Sequence, residues 1–223
     1  MLAVNKPAGV LCVPGRHDKT ELNLWDWLRS ERALPALTNP HRLDRYTSGV
    51  MIFTKTIEAY RSVTEQFRER QTRKIYTALC RGDATSQMID LPIGEWPDAP
   101  GLSRIDHKHG KPSRTHLRVV ERYRGYSLLE VEIETGRQHQ IRVHLQAVGH
   151  PLVGDADYGG APLLLSQLKR DYRSKAGEAE RPLLARPALH AAEITLVNPA
   201  VTIRAPLPKD LVVALKYLRR YAR

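Results

Sequence analysis

The densest run of chemically capable side chains is His41-Arg42-Leu43-Asp44-Arg45-Tyr46-Thr47-Ser48-Gly49. One carboxylate stands between two guanidinium groups, in turn-forming residues just ahead of the apolar run Val50-Met51-Ile52-Phe53. Neighbouring cations favour the charged form of a carboxylate, and an ionised, positioned Asp can act as nucleophile, base or metal ligand. The same residues equally suit a surface Asp–Arg network with Thr47 and Ser48 in a turn. A second run is Thr135-Gly136-Arg137-Gln138-His139-Gln140-Ile141-Arg142-Val143-His144-Leu145. Read as helical from about 137, it brings Gln138, Arg142 and Leu145 near one another with His139 alongside. Gln and Arg close to a helix N-terminus make a surface for anions and amides; a plain amphipathic helix is the alternative. The third is Arg73-Lys74-Ile75-Tyr76, where a Tyr on a basic strand can stack on a base and offer a hydroxyl, or sit in the core with a wet tip.

Other patterns exclude chemistry. His139, His144 and His150 lack the four-residue spacing that puts paired ligands on one helical face, so no metal is expected there. His107 and His109 flank Lys108 and read as a solvated loop. The glycines of Gly149-His150-Pro151-Leu152-Val153-Gly154-Asp155-Ala156-Asp157-Tyr158-Gly159-Gly160 come without a Gly-Lys-Ser/Thr or a spaced GxGxxG, so a phosphate loop is not expected. Asp155 and Asp157 could hold a cation, but a structured turn is the plainer reading. No Gly-x-Ser-x-Gly elbow or His-Glu-x-x-His is present.

These residues need elements to position them. Leu2-Ala3-Val4-Asn5 reads as a strand end entering a Lys6-Pro7-Ala8-Gly9 turn. Helical spacing appears in 21–30 through Leu24, Trp25 and Leu28, and in 56–70 through Ile57, Tyr60, Val63 and Phe67. Val50 to Phe53 is a buried strand. Alternation marks strands at 74–80, 115–120 and 127–133. A helix opened by Thr135-Gly136 would carry Ile141, Leu145 and Val148 on one side and stop at Gly149, with Pro151 beyond. Residues 161–187 read as an insertion with a short helix, followed by strands near 189–197 and 201–204 and a closing helix from Leu211 to Tyr217. Consecutive strands often lack a helical crossover. That predicts an α+β fold, a mixed and largely antiparallel sheet flanked by helices. No linker divides the chain, so a single domain over 1–223 is expected.

The chain has 223 residues, with 35 Lys+Arg against 24 Asp+Glu, a net charge of +11 and a pI near 9.9. It is long enough for a real core, and 42% hydrophobic against 26% charged residues is globular composition. The basic residues are spread along the chain, which points to a polyanion gripped by folded structure, most simply nucleic acid, or to an ordinary solvated basic surface. With only Cys12 and Cys80, a disulfide framework and a four-Cys zinc site are excluded. No apolar run reaches the roughly 18 residues of a membrane span, and Met1-Leu2-Ala3-Val4-Asn5-Lys6-Pro7 lacks a signal-peptide pattern. A cytoplasmic monomer is expected, with no membrane partner.

Taken in order, the segments resemble the RluA-type pseudouridine synthases. The resemblance runs from residue 2 to about 206. It is carried by Val4-Asn5-Lys6-Pro7-Ala8-Gly9, by 41–49, by Lys74-Ile75-Tyr76, by 135–145, by Gly149-His150-Pro151-Leu152-Val153-Gly154-Asp155 and by Leu189-His190-Ala191. It implies the pseudouridine synthase fold with a central RNA-binding cleft, and a cofactor-free, metal-free isomerase that turns uridine in structured RNA into pseudouridine. Asp44 matches the family's nucleophilic aspartate, Arg142 the basic residue that pairs with it, and Tyr76 the aromatic residue that stacks on the target base. Arg42 matches the arginine that fills the gap left by the flipped base. Arg45, Arg137, Gln138 and His139 are expected to contact RNA. Trp96-Pro97 and Gly110-Lys111-Pro112 resemble the short branch without an S4 domain, which implies ribosomal RNA and a tRNA anticodon stem-loop as substrates, with a tRNA-only enzyme as the rival. The family also has a strand ahead of the Val-Asn-Lys-Pro segment, where this chain has only Met1-Leu2-Ala3. Two other classes compete: a noncatalytic RNA-binding or ribosome-assembly protein on the same scaffold, and a glycosidase. The glycosidase would need two cooperating carboxylates, and only Asp44 stands out.

Overall fold

A computed structural model describes residues 1–15, 20–173 and 178–223. They gather into two compact units, one of Met1–Ile75 with His190–Pro206, the other of Tyr76–Leu189 with Leu207–Arg223. In chain order the elements are β1 (Leu2–Lys6), α1 (Leu24–Glu31), β2 (Ser48–Phe53), α2 (Ile57–Arg68), β3 (Arg73–Arg81), β4 (Gln87–Asp90), β5 (Ile93–Glu95) and β6 (Ser103–Ile105). They continue with β7 (Arg114–Tyr123), β8 (Tyr126–Ile133), α3 (Gln140–Ala147), β9 (Leu189–Leu196), β10 (Val201–Arg204) and α4 (Lys209–Tyr221).

In the first unit β2 is the centre. It pairs antiparallel with β1 and parallel with β9, and β9 pairs antiparallel with β10. Side chains alternate across a strand. Met51 and Phe53 therefore pack with Leu24 and Leu28 of α1, while Val50 and Ile52 pack with Val63 of α2 and Ile194 of β9. Burial on both faces explains why β2 reads as an unbroken apolar run rather than an alternating one. Both helices start on side-chain caps: Asn23 accepts from the Asp26 N–H, and Thr56 from the Ala59 N–H.

The second unit orders its strands β3-β8-β7-β4, with β7 antiparallel to both β8 and β4. Ala78 and Cys80 of β3 pack with Ile141 and Leu145 of α3, whereas Leu79 packs with Leu211, Leu215 and Leu218 of α4. The two helices thus cover opposite faces of this sheet. The small β5–β6 sheet covers α3 from its other side, through Ile93, Val143 and Tyr158. That double cover buries every residue of α3 from Gln140 to Leu145, Arg142 and His144 included.

The α+β class and the mixed, largely antiparallel pairing are those the sequence predicts. Two local expectations are corrected. The helix expected from about 137 begins at Gln140, with His139 in the left-handed region at φ 54°. The cause is the Gln140 side chain. Its Oε1 accepts from the Thr135 hydroxyl at 2.7 Å and from the Arg137 N–H at 3.1 Å, which folds 135–139 into a loop. The short helix expected within 161–187 is not found among the described residues of that segment; 174–177 lie outside them. Instead Leu163 bridges to Leu184, and Leu163, Leu168 and Leu184 fill the cluster beneath α4. Strands β4, β5 and β6 are too short to leave a pattern in the sequence. Among the described residues, no helix is long and apolar enough to cross a membrane.

Candidate active site

Asp44 sits on a loop of the first unit whose backbone is fixed from several directions. Its own carbonyl accepts the Thr47 N–H at 3.1 Å, closing a turn. Lys6 is fully buried at the end of β1. Its ammonium donates to the carbonyls of Pro7 (3.0 Å), Val10 (2.8 Å) and Arg45 (2.9 Å). A lysine has three donors, and here they tie the N-terminal turn to the residue that follows Asp44. The Gly9 N–H also donates to the Arg45 carbonyl, and Arg45 Nε donates back to the Gly9 carbonyl. On the other side of Asp44, the Cys12 thiol donates to the Leu43 carbonyl at 3.1 Å and accepts from the Leu43 N–H at 3.3 Å. Burial pushes the Cys12 thiol pKa up, so it stays a protonated donor.

The flanks of the loop are equally constrained. His41 stacks on Phe67 at 4.9 Å, and its Nε2 accepts the Ile52 N–H at 2.9 Å. Burial, and the nearby Lys74 charge, push its pKa down to about 4, which keeps it a neutral acceptor. Ser48 and His190 are both buried and lie 2.9 Å apart. The Ala205 carbonyl, 3.2 Å from His190 Nε2, can only accept. Nε2 therefore donates to that carbonyl, and Nδ1 shares the hydrogen bond with the Ser48 hydroxyl. At Gly49 (φ +119°) a Cβ would fall on the Ala191 carbonyl, so only glycine lets β2 and β9 close beside the loop. Arg42 is exposed and has no ion pair among the described residues. Arg45 is exposed too, 2.5 Å from Glu21 and with its guanidinium 5.6 Å from the Tyr46 ring centroid.

The second unit holds Tyr76 and Arg142. Tyr76 lies on β3 and packs in the same apolar cluster as Ile141 and Leu145, so it shares a sheet face with the helix that carries Arg142. Arg142 makes a bidentate pair with the buried Asp155, at 2.7 and 2.6 Å, and reaches the more exposed Asp157 at 2.7 Å. Its guanidinium also lies 4.7 Å from the Tyr158 ring centroid. Tyr158 is buried; its hydroxyl accepts the Ser103 N–H and shares a hydrogen bond with His139 Nδ1, both at 2.9 Å. A guanidinium fixed by two carboxylates and an aromatic face has a defined direction. Arg137 and Gln138 lie on the loop ahead of α3. Gln138 donates to the Gly101 carbonyl at 2.8 Å, and the Arg137 N–H to Gln140.

Arg142 was legible in the sequence, but its partners were not. Asp155 and Asp157 read as turn residues, and they do sit on a short 3-10 turn, Ala156–Tyr158, with Asp155 as its N-cap and Asp157 within it. No periodicity links them to an arginine thirteen and fifteen positions earlier. The buried Lys6 was legible only as part of a turn. The solvated reading of the His107/His109 loop stands: Asp106 Oδ1 accepts the N–H groups of Lys108 and His109. No cluster of His, Cys, Asp or Glu among the described residues could hold a metal.

The fold is shared with solved proteins. The chain superposes on the human RNA pseudouridylate synthase domain containing 4 with a TM-score of 0.75 and 27% identity, covering 97% of this chain and 89% of that one. For the human RNA pseudouridylate synthase domain containing 1 the TM-score is 0.70 and the identity 30%, covering 93% and 80%. Residues 1–147 match the RNA pseudouridylate synthase family model, and the chain belongs to that family. It is 38% identical to the dual-specificity RNA pseudouridine synthase RluA of Vibrio vulnificus over 89% of this chain and 75% of that protein. It is 36% identical to the ribosomal large subunit pseudouridine synthase D of Neisseria meningitidis over 98% of this chain, which spans 59% of that relative's length.

Proposed function

We propose that this protein isomerises selected uridines of structured RNA to pseudouridine, with Asp44 as the nucleophile. The N1–C1′ bond breaks and a C5–C1′ bond forms. The proton lost from C5 is balanced by one gained at N1, so no co-substrate is consumed. Asp44 joins the nucleoside covalently and is released once the new bond is made. Arg142 supplies the basic side chain that the reaction uses, as its match to the family motif implies. The target base must leave its stack, at a few kcal/mol. Tyr76 offers it a π-face worth roughly 1–3 kcal/mol and takes part in proton transfer, while Arg42 occupies the vacated place. Arg45, Arg137, Gln138 and His139 contact the RNA. Residues 1–223 act as one catalytic domain, in the cytoplasm, on ribosomal RNA, a tRNA anticodon stem-loop or both. Similarity to a dual-specificity enzyme and to a ribosomal large subunit enzyme supports this substrate class.

The observation that carries the reading is the immobilised loop. Lys6, Gly9 and Cys12 fix the backbone on both sides of Asp44. A nucleophile gains from a fixed position, whereas a protein that only binds phosphate-rich RNA has no use for a carboxylate held in place. Incubation of the protein with cellular RNA and no added cofactor is expected to generate pseudouridine. Asp44→Asn is expected to abolish this and to leave RNA binding largely intact. Isomerisation by the Asn variant at the wild-type rate would rule out the nucleophile assignment. Tight RNA binding by the wild type with no modification of any cellular RNA would favour the noncatalytic scaffold.

A further inference from the structure

We propose that the solvent face of α4 is a second RNA-docking surface, which holds the phosphate backbone of a long substrate RNA on the sheet face opposite Tyr76 and Arg142. The inference rests on the reading of the protein as an RNA-modifying enzyme. Helix α4 buries Leu211, Ala214, Leu215 and Leu218 against the second unit's sheet. At 3.6 residues per turn the opposite side carries Lys209, Lys216 and Arg220 in one row, all exposed. They span about 16 Å of helix at 1.5 Å per residue.

Within α4, charge compensation sets this row apart from Arg219. On the sheet of the same unit, Arg114 pairs with Asp90 and Glu134, and Arg118 with Glu130. Arg219, at the flank of α4, pairs with Glu121. The one carboxylate of α4, Asp210, is taken by Arg186 at 2.7 and 3.0 Å. Lys209, Lys216 and Arg220 have no ion pair among the described residues. Aromatic rings border the row. Tyr217 and Tyr221 stack at 6.1 Å with their planes 17° apart, and the Arg220 guanidinium lies 5.2 Å from the Tyr221 ring centroid. Uncompensated cations beside partly exposed aromatic rings complement phosphates and unpaired bases. A basic amphipathic helix can also bind an anionic membrane, but the apolar side of α4 is occupied by its own core.

Position makes the surface selective for RNA length. The β3 side chains that face α3 (Ala78, Cys80) and the one that faces α4 (Leu79) point to opposite sides of the sheet. An RNA that reacts beside α3 must extend around the sheet to reach α4. A domain of ribosomal RNA has more backbone with which to do so than a single stem-loop.

The test combines Lys209→Gln, Lys216→Gln and Arg220→Gln; glutamine sustains a helix about as well as lysine or arginine, and thermal unfolding checks that the variant folds. Binding is measured for a domain-length ribosomal RNA fragment and for a single stem-loop across a salt series. On the long RNA we expect affinity to fall roughly tenfold or more and the slope of log K against log salt to flatten by about 2–3, three contacts being lost. Stem-loop affinity and kcat should be unchanged. An unaltered slope on the long RNA, an equal loss on the stem-loop, or no wild-type binding to the long RNA would overturn the proposal. So would wild-type capture by phosphatidylserine vesicles that the variant loses, with RNA affinity intact. Absence of pseudouridine from wild-type reactions would instead refute the enzymatic reading, and the binding comparison would still decide the role of α4.

Discussion

Arg142 is a buried cation whose direction is set by residues outside its own helix. Asp155 is fully buried, while the Asp157 side chain is 54% exposed. The two carboxylates should therefore differ in weight. Removing one partner of a buried pair costs about 3–5 kcal/mol, so Asp155→Ala should lower the unfolding free energy by that much, read from urea unfolding. Asp157→Ala should cost less than about 1 kcal/mol, as for exposed ion pairs. Equal losses would contradict the ranking by burial. In the same variants, pseudouridine formation should fall further than RNA affinity for Asp155→Ala, because Arg142 loses its orientation, and stay near wild type for Asp157→Ala. The chemistry-bearing residue types were visible in the sequence because Asp, Tyr and Arg stand in distinctive local runs. Asp155 and Tyr158 were not assigned to Arg142, because a pair separated by thirteen or sixteen positions leaves no periodic trace.

The Asp44 loop is governed by the elements at its two ends. His41 enters β2 as a neutral acceptor with a pKa lowered to about 4, against an ordinary value of 6.5. The unfolded chain binds the extra proton first, so stability is full above about pH 6.5 and declines as pH falls toward 4. The decline should amount to roughly 2–3 kcal/mol, read from urea midpoints between those pH values. His41→Gln should flatten that dependence; an unchanged slope in the variant would assign it to other groups. At the exit of the loop, Gly49→Ala sets a Cβ on the Ala191 carbonyl in a left-handed backbone. A loss of at least about 2 kcal/mol is expected from strain and displaced pairing, visible as a lowered Tm. A wild-type Tm would mean that β2 and β9 tolerate a wider approach. The longer strands were legible in the sequence, since β8 alternates and β2 is continuously apolar. The start of α3 was not, because the side chain of Gln140 decides it by taking the Arg137 N–H.

Across the molecule, an excess of eleven positive charges makes RNA affinity a function of ionic strength. If at least four phosphates are contacted, binding should fall on the order of a hundredfold between about 50 and 200 mM salt. Turnover at saturating RNA should change little over the same range, because the isomerisation moves no net charge into or out of the complex. A binding constant insensitive to salt would show that the basic residues serve solubility rather than recognition. Composition alone could not separate these roles, since it counts charges without saying which are neutralised by neighbours.

What the sequence determined by itself is whatever depends on neighbours along the chain. That covers the α+β class, the alternation of β8, the continuous β2, the helices α1, α2 and α4, and the family motifs with their candidate residues. Tertiary structure decided whatever depends on distance through space. It chose Asp155, Asp157 and Tyr158 as the partners of Arg142, buried Lys6 among carbonyls beside Asp44, and left Lys209, Lys216 and Arg220 of α4 without an ion pair among the described residues. The physical reason is that hydrogen bonds and ion pairs act over a few ångströms between groups brought together by packing, and separation along the chain does not encode that approach.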